Sequence, residues 1–197
     1  MIVAYLQWCL VISAFVLLIR AKYQPGFLKN IWLILPVVFV VLALPVGGIN
    51  IYGYFWGVFG QLSITTTFLV ARYVVNHFGD PGRPVLQFQR PFLYGPVAFL
   101  TLVFYPLALG VSPIDPYGWG YQPFYLAIVL LVVALLFWGS KQRLLAWLMV
   151  AVVACHQLRL LESENLWDYL LDPFLVFYSW GWGVRRLKEY FKIRARS

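Results

Sequence analysis

The chain has 197 residues, 62% of them hydrophobic and 11% charged, which is more apolar surface than a soluble domain of this size hides in one core. Fifteen Lys and Arg against seven Asp and Glu give a net charge of +8. The cations stand at the ends of apolar stretches and not on a soluble face, which argues against nucleic acid and for anionic lipid headgroups.

The expected elements follow in chain order. Ile2 to about Ile19 reads as a spanning helix, for which roughly 20 apolar residues are needed. It lacks the positive n-region and small-residue cleavage site of a signal peptide, so it is expected to be retained. Arg20, Lys22 and Lys29 then make a basic loop, expected in the cytoplasm, which puts the N-terminus outside. A second helix, about Ile31 to Val46, carries Pro36 and Pro45 and ends in Gly47-Gly48-Ile49-Asn50. The uncharged, aromatic IYGYFWGVFG from Ile51 suits an outer interface, and a third helix descends to about Val70, although one long tilted helix fits the same stretch. The polar strip of Gln61, Ser63 and Thr65-Thr66-Thr67 is expected to face other helices and pack there, an ion path being the sharper alternative.

From Arg72 to Pro91, with Arg83, Arg90 and Asp80-Pro81-Gly82, the chain reads as a cytoplasmic loop holding a solvated or capping His77. Helix four covers about Phe92 to Leu109, VSPIDPYGWGYQP turns outside, and helix five covers about Phe124 to Trp138. A basic turn with Lys141 and Arg143 leads to helix six, about Leu144 to Leu158, and helix seven returns through LLDPFLVFYSWGWGV. The expectation is an all-α transmembrane bundle of about seven helices over residues 1–184, N-terminus outside and C-terminus cytoplasmic. A basic amphipathic tail over 185–197 would lay Arg185, Arg186, Lys188, Lys192, Arg194 and Arg196 on the inner leaflet. All cations except Arg159 then share the inner side, and Asp115, Glu162, Glu164, Asp168 and Asp172 lie outside.

The strongest candidate site is the outer segment from His156, with Arg159, Glu162, Glu164, Asp168 and Asp172. Spacing by four would line up Glu164, Asp168 and Asp172 on one helix face, where like charges repel and a proton, a cation or a partner's Arg relieves them. Arg159, three residues before Glu162, could pair with it. Asp172-Pro173 also reads as a helix N-cap followed by a first-turn proline. An ionisable group at membrane depth is by default a functional hypothesis, here for Asp168 and Asp172. A second candidate is the outer turn, where Asp115, Tyr117, Trp119, Tyr121 and Tyr125 offer flat faces to a sugar or headgroup, or simply anchor in lipid. Cys9 and Cys155 read as packing thiols. No histidine pair for haem, no mid-helix Lys for a Schiff base, and no GxSxG, HExxH, P-loop or CxxC motif is present, so no cofactor or metal is expected.

FYPLALGVSPIDPYGWGY from Phe104, LESENLWDYLLDPFL from Leu161 and GQLSITTTFLVARY from Gly60 resemble small multi-pass inner-membrane proteins of Gram-negative bacteria that carry no assigned activity. The resemblance implies a bacterial inner membrane and a cell-envelope context, and no residue roles. Three functions follow as expectations. The first is a non-enzymatic subunit that positions an envelope enzyme or assembly through its outer acidic and aromatic surface. The second is an ion-coupled transporter or lipid-linked-substrate flippase using Asp168 and Asp172. The third is an enzyme at the outer leaflet with His156 and Glu164 or Asp168 as acid and base.

Overall fold

The computed structural model describes residues 2–23, 33–79 and 90–194, and the architecture is all-α. Among these residues the helices are α1 (Ile2–Tyr23), α2 (Ile34–Ala43), α3 (Ile51–Phe59), α4 (Ile64–Gly79), α5 (Arg90–Ala108), α6 (Pro123–Gly139), α7 (Arg143–Gln157), α8 (Leu166–Leu170) and α9 (Pro173–Arg194). Two are long and apolar enough to cross a bilayer, through Ile2–Arg20 and Pro91–Ala108. Helices α2, α6 and α7 are apolar but shorter: the 17 residues of α6 rise about 25 Å and the 10 of α2 about 15 Å, against a hydrocarbon core of about 30 Å. By length and composition, therefore, two of the seven expected spans meet the requirement unaided.

Two boundaries differ from those expected, and a choice the sequence left open is decided. The stretch from Ile51 is a short helix followed by a second one, not one long helix, because Gly60 adopts a left-handed φ of 69° and ends α3. Helix α4 continues to Gly79, so Arg72, Asn76 and His77 are helical and not part of a loop. No breaker interrupts this run, and Val74 keeps a buried face on it. At the other end of the chain the basic tail is no separate element, since α9 is continuous from Pro173 through Arg194. Arg196, Lys29, Asp80 and Arg83 lie outside the described residues.

Helix α4 stands between two hydrophobic cores. Trp8, Leu17, Val38 and Leu42 from α1 and α2 meet its Val70 and Val74 on one side. Tyr94, Leu130, Leu148 and Val152 from α5, α6 and α7 meet its Phe68 and Leu69 on the other. The most extensive helix packing is between α6 and α7, followed by α5–α9 and α1–α4. Between α1 and α4 the polar strip is knitted by buried Gln7, whose Nε2 donates to the Leu62 carbonyl (2.8 Å) and to Thr67 Oγ1 (2.9 Å), while its Oε1 accepts from Leu62 N–H (3.2 Å). This is the interhelical hydrogen bonding expected of small polar residues among apolar helices. After α2 a minimal hairpin pairs Pro45–Val46 with Ile49–Asn50, and its two-residue turn uses Gly47 and Gly48 at φ 60° and 87°, where only glycine is unstrained.

Candidate functional site

Helices α4 and α9 begin side by side, and a single carboxylate joins their first turns. Ser63 caps α4: its Oγ accepts from Thr66 N–H (3.1 Å) and its carbonyl takes Thr67 N–H (3.0 Å). Asp172 caps α9, with Oδ1 accepting from Leu175 N–H (2.8 Å). Its Oδ2 accepts from both the N–H and the hydroxyl of Ser63, at 2.9 and 2.8 Å. With 6% of its surface exposed, Asp172 is a buried carboxylate held by three donors, with the positive ends of two helix dipoles behind them.

Asp168 sits differently. It lies half-buried in α8, and its carboxylate accepts the hydroxyl of Ser163 at 2.5 Å and that of Tyr117 at 3.1 and 3.2 Å. Both donors are neutral, and among the described residues no cation pairs with it. Tyr117 arrives from the α5–α6 turn, which is fastened to α8 by two further bonds: Asn165 Nδ2 donates to the Tyr117 carbonyl (3.0 Å) and Trp167 Nε1 to that of Pro116 (2.8 Å). Partial burial, then the neighbouring Asp168 charge, push the Tyr117 phenol above its ordinary value of 10.0. A phenol whose folded pKa is raised contributes stability that is complete below pH 10 and is lost as pH climbs toward the folded pKa. Tyr117→Phe is therefore expected to flatten the alkaline branch of the stability curve above pH 10, measured by denaturant unfolding at stepped pH.

The two carboxylates face one cleft of about 490 Å³, walled also by Trp56, Gln61, Glu162 and Ser163. Gln61 Oε1 accepts from Glu162 N–H at 2.7 Å and closes one side. Among the described residues no Lys, Arg or His lines it, although the chain as a whole is basic. A cleft with carboxylate, amide and hydroxyl oxygens beside an indole face suits an ammonium or guanidinium group.

Other expected site residues are arranged differently. Glu164, Asp168 and Asp172 do not share a helix face: Glu164 precedes α8, Asp168 is within it, and Asp172 follows the break at Leu171. Asn165 caps α8 through Oδ1 to Trp167 N–H (2.9 Å), which starts the helix after Glu164, and Asp172 restarts it as α9. His156, at the end of α7, directs Nε2 to the backbone carbonyl of Glu164 (3.0 Å) and packs edge-on against Tyr169. No hydrogen bond joins it to the Glu164 or Asp168 carboxylate, so the expected acid–base pair is not assembled. Arg159 is exposed in the left-handed turn that ends α7, at φ 50°, and Glu162 is exposed on the cleft rim.

Of the aromatic turn, Tyr117 belongs to the Asp168 site, and Asp115 is spent on its own turn, accepting from Gly118 N–H at 3.0 Å. Trp119, Tyr121 and Tyr125 stay exposed. On α9, Arg186 pairs with Glu189 (3.1 Å) and lies over Trp182, and Arg185 Nε donates to the Gly181 carbonyl, while Lys188, Lys192 and Arg194 are exposed. Among the described residues no three His, Cys, Asp or Glu gather as metal ligands.

Sequence reasoning missed Trp56, Ser163 and the pairing of Ser63 with Asp172. A serine just before the Thr-rich helical run is a capping signal, but nothing local names its distant partner. Compared with protein families, curated proteins and solved structures, the chain matches none.

Proposed function

We propose that this chain is a non-catalytic, multi-pass protein of the bacterial inner membrane that binds a cell-envelope enzyme or assembly by taking a basic side chain of it into the outer cleft beside Asp168. The observation that carries this reading is a half-buried carboxylate held by two neutral hydroxyls, in a cleft with an indole wall and no cation. A guanidinium or ammonium entering there gains charge-assisted hydrogen bonds without displacing an existing ion pair. In the membrane the helices form a bundle with the N-terminus outside and the C-terminus cytoplasmic, the shorter ones accommodated by local thinning. The exposed cations of α9 meet the inner leaflet.

A transport role for Asp168 and Asp172 is supported by their shared cleft. The three donors on Asp172 weigh against it, because a carrier group must exchange its partners during the cycle.

The test is recovery of the tagged full chain from native membranes in mild detergent, followed by mass spectrometry for a companion in constant ratio. Asp168→Asn is expected to weaken that recovery roughly ten- to hundredfold, the effect of losing about 1.5–3 kcal/mol of hydrogen bonding to a charged group. Gly57→Leu is the companion variant. Gly57 lines the cleft, and a Cβ added there meets nothing within 4 Å, so the larger side chain is expected to narrow the cleft without altering the Asp168 carboxylate itself. Unchanged recovery with both variants folded would sink the reading.

A further inference from the structure

We propose that the groove between α1, α4, α5 and α9 seats one acyl chain of a membrane phospholipid, with the Thr66 hydroxyl donating to its ester carbonyl. This goes beyond the partner-binding reading and shares only its membrane placement.

The groove encloses about 430 Å³ and carries no charged residue, its walls including Val11 and Phe15 of α1, Leu69 of α4 and Phe174 of α9. It follows α1 from Val11 to Leu18 and α4 from Thr66 to Tyr73, about 10 Å on each helix, so it is elongated along the helix direction. Phe15 and Leu18 are exposed at its edge, as side chains facing lipid would be.

The position of the groove suits an amphiphile. The acidic cleft is lined by Asp172 and Pro173, the groove by Phe174 and Leu175, the next residues of the same helix. On the neighbouring segment Gln61 lines the cleft and Thr66 the groove. Polar surface thus gives way to apolar surface within about one helical turn on both elements, the order of groups along a phospholipid.

Thr66 stands at that boundary. It is 8% exposed, and its hydroxyl has no hydrogen-bond partner. The usual acceptor for a helical threonine is the carbonyl four residues back. For Thr66 that is Leu62, which accepts from Gln7 Nε2, whereas Thr67 reaches its own acceptor at Ser63 (2.8 Å). Thr66 itself lines the groove, and a helical threonine has two accessible χ1 wells from which its hydroxyl can seek an acceptor. An ester carbonyl there satisfies a donor that the fold leaves unsatisfied.

The experiment is native mass spectrometry of the full chain, stripped in detergent and then offered mixed micelles containing palmitoyl-oleoyl phosphatidylethanolamine. The expected result is one retained lipid per chain. Leu69→Trp fills the groove and should reduce retention at least tenfold, and Thr66→Val, which replaces the hydroxyl with a methyl of similar size, about fivefold. Leu135→Trp is the control, on a 72% exposed position of α6 outside the groove. Asp168→Asn should retain the lipid, which separates this site from the cleft. Wild type retaining no lipid, or Leu69→Trp and Thr66→Val both retaining as much as the control, overturns the proposal. Alkaline extraction of the starting membranes separates the two failures. A chain released by alkali refutes the membrane placement itself, and a chain that resists alkali yet binds no lipid refutes only the groove.

Discussion

Replacing Asp172 with alanine is expected to destabilise the fold by about 3–5 kcal/mol, since each buried donor left without an acceptor costs about 1–3 kcal/mol and the three losses overlap. Three donors lose their acceptor at once: the N–H and hydroxyl of Ser63 and the N–H of Leu175. One of them is the first-turn donor of α9, so the loss includes a helix cap, typically about 1 kcal/mol. The damage spreads because the same carboxylate fixes the start of α4, which separates the two cores. Asp172→Asn keeps an acceptor oxygen and should cost about half as much, while Ser63→Ala removes the α4 cap together with one bond to Asp172. Combined in a double-mutant cycle, Asp172→Ala and Ser63→Ala should fall short of additivity by 1 kcal/mol or more. Thermal unfolding in detergent measures each term. Additive losses would mean that the two caps act separately and that the junction is not a unit.

Gly120→Ala is expected to cost about 2–4 kcal/mol, and for a reason invisible at Gly120 itself. An added Cβ would lie 1.8 Å from Asn165 Oδ1 and 2.7 Å from Trp167 Cδ1. Neither neighbour yields easily: Asn165 is fully buried, with Oδ1 capping α8 and Nδ2 bonded to Tyr117, and Trp167 is anchored to Pro116. Overpacking a site of this kind typically costs about 1–3 kcal/mol, and displacing Asn165 adds the loss of a cap. Because the same contacts bring Tyr117 to Asp168, partner recovery should fall with stability. Gly118→Ala, two residues earlier, would press only on the exposed Asp115 carboxylate at 2.7 Å, which can swing aside at the loss of its exposed bond to the residue 118 N–H. Its cost should stay below about 1 kcal/mol. Similar losses at both glycines would mean that the α5–α6 turn is intolerant in general and not locked to α8.

The candidate site was legible in part. Asp168 and Asp172 stand out because carboxylates are rare in an apolar chain, and Asp172-Pro173 carries a helix-start signal of its own. Their roles divide in a way that spacing by four did not suggest. That spacing assumes a continuous helix, and Asn165 and Asp172 cap two helices instead of one. The aromatic turn and the acidic segment read as two sites, yet Tyr117 and Asp168, 51 positions apart, form one. His156 reads as a potential acid or base, but its Nε2 lies on a backbone carbonyl.

Sequence by itself determined the all-α class, the apolar character of the helices and the helix start at Asp172-Pro173. All of these follow from local composition, hydropathy and helix punctuation, which act over a few residues. Tertiary structure alone decided which carboxylate joins two helix starts and which is held by side-chain hydroxyls only. Ser63 and Asp172 are 109 positions apart, and only packing of α4 against α9 brings three donors to one buried carboxylate while leaving the other to two hydroxyls. A hydrogen bond recognises neighbours in space, whatever their separation along the chain.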